Sequence, residues 1–209
     1  LNELDPTNNF LWRAPIKRLD AESLRDAMLH VSGELELTPP DGSVIASFND
    51  REFNDRVHPS AEQLSSTHRS VYLPIARYWV PDMLHEFDFA DPSLVVGKRT
   101  ERTMASQSLF LMNSQIITDR AMRIAKDIAA QPEEERATAA FRKILLRDPS
   151  TSEVTMLTAF VQGLSDSSEV DVTHSTAPTG NAKSTGPEND LSTETLEASW
   201  QAACQTLLM

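Results

Sequence analysis

Residues 114–128 read Ser114-Gln115-Ile116-Ile117-Thr118-Asp119-Arg120-Ala121-Met122-Arg123-Ile124-Ala125-Lys126-Asp127-Ile128. Ile117, Ala121, Ile124 and Ile128 recur at the spacing that aligns side chains on one face of an α-helix. Ser114 stands where an N-cap belongs. A stripe of this kind has to be buried against other elements, so the rest of the chain is read for partners.

Partners follow at once. Pro132 starts a further predicted helix, with Glu133, Glu134 and Glu135 at the positive end of its dipole and Arg142, Lys143 and Arg147 at the negative end. Ala137, Ala140, Phe141, Ile144 and Leu145 form its apolar face, and Asp148-Pro149 ends it. Ser150 to Glu153 has a capping-box pattern, and the helix behind it carries Val154, Leu157, Val161 and Leu164, with Phe160 beside them. A last helix is predicted from about Thr193, with Leu196, Trp200, Ala203 and Leu207 as its stripe. Residues 165–190 are rich in Ser, Thr, Gly, Pro and Asp and are read as a flexible insertion.

Towards the N-terminus, Ala21 to Ser32 is predicted helical, with Asp20 as cap, Leu24, Ala27, Met28 and Val31 as face, and Gly33 ending it left-handed. Pro39-Pro40-Asp41-Gly42 signals a turn, and Val44 to Phe48 is a candidate strand. Arg69 to Leu73 looks β-like. Short helices are expected at Ile75 to Trp79 and Pro81 to Phe87, then loop from Asp88 to Thr103, then a helix capped by Ser106 and running to Met112. The fold class is therefore mainly α: a helical, bundle-like single domain over residues 1–209, with a loop-rich middle and at most a short strand or two.

The chain has 209 residues, 40% of them hydrophobic, and a formal charge of −12. That charge argues against nucleic acid and anionic membrane surfaces, which need a basic face. No run approaches the ~18 apolar residues of a spanning helix, so membrane insertion is not expected. The single cysteine, Cys204, excludes an intrachain disulfide and a multi-cysteine zinc site, and its place on an apolar stripe marks it as a core thiol. The chain starts at Leu1, and we read it as a C-terminal piece of a longer polypeptide whose targeting segment would lie upstream.

Several motifs occur in an order that resembles a known family. They are Arg18-Leu19-Asp20-Ala21-Glu22-Ser23-Leu24-Arg25-Asp26-Ala27 with Val31-Ser32-Gly33, then Arg69-Ser70-Val71-Tyr72-Leu73-Pro74, Phe87-Asp88-Phe89-Ala90-Asp91 and Gln107-Ser108-Leu109-Phe110-Leu111-Met112-Asn113. Arg147-Asp148-Pro149-Ser150 with Glu153, and Trp200 to Leu208, follow. The pattern resembles a planctomycete surface-protein C-terminal domain of unknown function, found behind cytochrome-c-like domains. The resemblance implies an exported parent, periplasmic or at the cell surface, whose upstream domains are the partner of this chain. It supplies no reaction. The haem-binding part of such parents is not in this chain, and no cofactor is expected here.

The chemistry-bearing residues crowd into the middle. His85 with Asp88 or Asp91 is a candidate acid–base pair. Arg69, Arg77, Arg99 and Arg102 are candidates for an anion clamp, with Tyr72 and Trp79 as stacking surfaces. Together they would bind or hydrolyse an extracellular glycan. The competing reading is a set of ion pairs and loop caps holding irregular backbone, and it is the simpler one. His30, His58, His68, His85 and His174 show no compact metal spacing, and nucleophile-elbow, phosphate-loop and dinucleotide motifs are absent. The favoured function is a non-catalytic interaction or structural module, with the glycan site as the alternative.

Overall fold

A computed structural model describes residues 3–15, 17–42, 66–75, 80–99, 102–174 and 189–209, with backbone alone at 168–174 and 189–193. The described residues form a mainly α fold of seven helices and no strand: α1 (Ala21–Val31), α2 (Asp82–Glu86), α3 (Ala105–Asn113), α4 (Gln115–Ala129), α5 (Glu133–Leu145), α6 (Thr151–His174) and α7 (Asn189–Leu208). An isolated parallel bridge joins Glu36 to His68. The candidate strand Val44 to Phe48 and most of the helix expected at Ile75 to Trp79 lie outside the described residues.

The helices form where apolar periodicity and caps agree. Asp20 accepts the Ser23 backbone N–H at 2.8 Å, satisfying a free donor of the first turn of α1. Gly33 follows α1 at φ 75°, the left-handed conformation that glycine adopts without a steric penalty. At the start of α6, Glu153 accepts the Ser150 N–H at 2.8 Å and the Ser150 hydroxyl at 2.9 Å. Arg147 grips the same carboxylate from outside the helix, at 2.6 Å.

Two packed clusters result. In the larger, Ala121, Ile124, Ala125 and Ile128 of α4 meet Ala137, Ala140 and Phe141 of α5, Leu157 and Val161 of α6, and Trp200, Ala203 and Cys204 of α7. The smaller joins Ala21 and Met28 of α1, Met83 and Leu84 of α2, Ile117 from the first turn of α4, and Leu73 and Phe87 from outside the helices. Leu84, Ile117, Ile124 and Ile128 are completely or almost completely buried, each contributing ~1.5–3 kcal/mol. Leu208, near the end of α7, packs against both clusters. The Cys204 thiol lies fully within the larger one, and burial pushes its pKa up to about 12.

Four expectations change. Ser70–Tyr72 is a short 3-10 turn rather than β-like. The Ser70 N–H and hydroxyl both donate to Asp26 of α1, at 2.7 and 2.6 Å, and those bonds outweigh the strand preference of Val71 and Tyr72. The cap of α3 is not Ser106, which lies inside the helix; Met104 takes the N-cap position and its N–H donates to the Gln107 side chain at 3.2 Å. Leu145 is partly exposed, at the end of α5 where the chain turns left-handed at Leu146. Helix α6 continues to His174, into the segment that composition marks as an insertion from residue 165.

Candidate functional site

The loop-rich middle is shaped by the end of α2. Its polypeptide turns left-handed at Asp88, φ 61°, and the Phe89 N–H returns to the Leu84 carbonyl at 3.0 Å. This is a Schellman-type stop with aspartate in the position glycine usually takes. The chain then runs on as loop, and Asp91 folds it again by accepting the Ser93 N–H at 2.8 Å. Between the end of α2 and the returning segment at Arg99 and Arg102 lies an open cleft of about 730 Å³. Five of the sequence-predicted residues line it: His85, Asp88, Asp91, Arg99 and Arg102.

Both arginines are already engaged. Arg99 makes a bidentate pair with Glu22 of α1, at 2.6 and 2.7 Å, and lies 5.2 Å from the centre of the Phe89 ring. The hydrogen bonds to Glu22 outweigh desolvation and raise the Arg99 pKa. Arg102 donates its backbone N–H to Asp88 at 2.9 Å and its Nε at 3.1 Å. Desolvation pushes the Asp88 carboxyl up, but the two Arg102 bonds and the nearby positive charges prevail and hold it below its usual value. Asp88 is therefore ionised and committed to Arg102, not placed as the partner of His85. The His85 side chain is exposed, and no hydrogen bond among the described residues engages its ring.

The remaining candidates are elsewhere. Arg69 is drawn to Asp26 of α1, at 3.8 Å, and Tyr72 belongs to the 3-10 turn beside it, so neither lines the cleft. Arg77 and Trp79 lie outside the described residues. Among the described residues, no group of histidine, cysteine or carboxylate side chains has the makings of a metal site.

Sequence reasoning missed three residues that hold the cleft together. Glu22 reads only as a first-turn acid, and its partner Arg99 is far away in sequence. Gln107 is 5% exposed; its Nε2 donates to the Glu86 carbonyl at 2.9 Å, and its Oε1 receives both the Met104 N–H and Arg18 Nη2, the latter at 2.7 Å. Arg18 also donates to the Arg102 carbonyl. One buried amide thus ties the end of α2, the start of α3 and the N-terminal segment. The only local signal is a glutamine at the third position of a helix, where it can reach back to the cap.

Compared with known proteins, residues 1–161 match the family described as PSD1: Protein of unknown function (DUF1553). No curated protein and no solved structure matches the chain.

Proposed function

The chain belongs to this family of unknown function, and from that premise we propose that it acts as a non-catalytic interaction or structural module. The carrying observation is how the cleft uses its polar groups: Arg99 pairs with Glu22, Arg102 pairs with Asp88, and Asp91 accepts a backbone N–H that folds the loop. Those bonds fix a shape, and part of its lining is apolar and open to solvent, with Leu94 66% and Val96 43% exposed. An ordered cleft with a partly apolar lining suits contact with another protein surface. No helix among the described residues is long and apolar enough to cross a membrane.

On the motif resemblance, the proposal extends to a large exported planctomycete protein as parent, with its upstream domains as the partner. The test compares that parent with and without this module. Loss of folding, localisation or assembly on deletion is expected; a parent indifferent to deletion would end the proposal.

A second reading, an extracellular glycan-binding or hydrolytic site, draws on the convergence of five candidate residues on one solvent-reachable cleft. The commitment of both arginines to carboxylates weighs against it for an anionic sugar. Thermal unfolding with sulfated and neutral polysaccharides tests it, because selective binding to the folded state raises the melting temperature.

A further inference from the structure

The charges left over in the cleft have the opposite sign to an anion clamp. Three aspartates and two arginines line it. Arg102 neutralises Asp88, and Arg99 is turned to Glu22, which is not part of the lining. Asp82 and Asp91 have no cationic partner among the described residues. The Asp91 carboxylate accepts the Ser93 N–H, which leaves its charge in place. Val80, Phe89, Leu94 and Val96 line the same cleft and give it apolar surface.

We infer that the cleft receives a lysine or arginine side chain flanked by apolar residues, presented by an extended segment of a partner protein. The volume of the cleft is within the range of sites that enclose small ligands or side chains. Cation and carboxylate meet in the cleft, while the stem of the long side chain and its apolar neighbours cover Leu94 and Val96. The arginines already in place shape the wall and do not compete for the incoming group. This names the occupant of the site and rests on the module reading given above.

The experiment measures fluorescence anisotropy of a labelled Leu-Lys-Leu-Arg-Leu peptide against the intact chain, beside a Leu-Glu-Leu-Glu-Leu peptide and heparin. The expected result is binding of the basic peptide alone, weakening as salt is raised. Combining Asp82→Asn with Asp91→Asn should reduce its affinity about fivefold, the loss expected of two exposed ion pairs. Asparagine at 91 keeps an oxygen for the Ser93 N–H, so the loop turn survives. If the double variant loses its thermal transition, Asp82→Asn alone carries the test. Equal binding by the folded variant, preference for the acidic peptide or heparin, or no binding at all would each overturn the inference. Mass spectrometry of the recovered peptide separates the two readings, since cleavage would sink the non-catalytic module and leave the cation site standing.

Discussion

Replacing Gln107 by alanine should destabilise the chain more than any other single polar truncation around the cleft. The side chain makes two neutral hydrogen bonds, to the Glu86 carbonyl and from the Met104 N–H, and one from the Arg18 guanidinium. Neutral bonds are worth about 1 kcal/mol each and a charged one about 2, and in a site only 5% exposed the abandoned partners are slow to find water. Allowing for partial solvation of Arg18, the expected loss is about 3 kcal/mol. For a chain of this size that lowers the melting temperature by about 6–12 °C. Urea unfolding followed by circular dichroism gives the free energy, and Gln107→Met isolates its cause. Methionine keeps the volume and removes the hydrogen bonds, so it should lose nearly as much as alanine. A methionine variant within about 0.5 kcal/mol of the parent would show that Gln107 acts by packing and that the hydrogen-bond reasoning is wrong.

Leu146 is 84% exposed at φ 52°, so Leu146→Gly should raise stability by about 1 kcal/mol, read as a higher urea midpoint with an unchanged slope. Gly33→Ala should do the reverse by a similar amount, about 1 kcal/mol, because its φ of 75° is the only obstacle: an added Cβ meets nothing within 4 Å. The Arg147 hydrogen bond, followed by those from Ser150, pulls the Glu153 carboxyl from 4.5 down to about 2. A carboxyl held lower in the folded state stabilises fully above its unfolded value and loses that contribution as pH falls through the folded one. Melting temperatures between pH 5 and pH 2 should therefore decline less steeply in Glu153→Gln than in the parent, and parallel curves would contradict the assignment. Cys204, with its thiol pushed up to about 12, should resist iodoacetamide at pH 8 until the chain unfolds; rapid alkylation of the native protein, detected by mass spectrometry, would place the thiol outside the core.

The parts of the fold legible in sequence are those where a local rule and the tertiary structure ask for the same thing. Ile117, Ala121, Ile124 and Ile128 mark a buried face by period alone, and all four are in the core. Asp20 and the Ser150–Glu153 pair announce helix starts because their partners are within three residues. Ser70–Tyr72 misleads because its conformation is set by Asp26, across the fold, and a β-branched valine gives no hint of that. The candidate site divides in the same way. Local density of ionisable groups in the middle of the sequence is enough to find His85, Asp88, Asp91, Arg99 and Arg102, and the cleft gathers them. The partner of Arg99 is set at a distance, in Glu22 of α1, so the sequence alone favours ion pairs and loop caps over an anion clamp without naming the pairs, and the structure has Arg99 and Arg102 already paired. Asp88 is legible as a turn residue but not as a left-handed one, since glycine or asparagine is the commoner choice.

The long reach between α4 and α7 has a consequence for how the protein is made. The buried stripe of α4 is closed in large part by Trp200, Ala203 and Cys204, and Leu208 completes both clusters. A ribosome delivers α4 well before it delivers residues 189–208. Throughout that interval the cluster around Ile124 and Ile128 has α5, α6 and Val31 of α1 but lacks α7, and the nascent chain shows the kind of apolar surface that chaperones bind and proteases survey. Bringing α7 back also closes a long loop, whose entropy cost comes before the contacts that repay it. A product cut short before α7 would therefore be cleared by quality control rather than persist as a smaller folded domain.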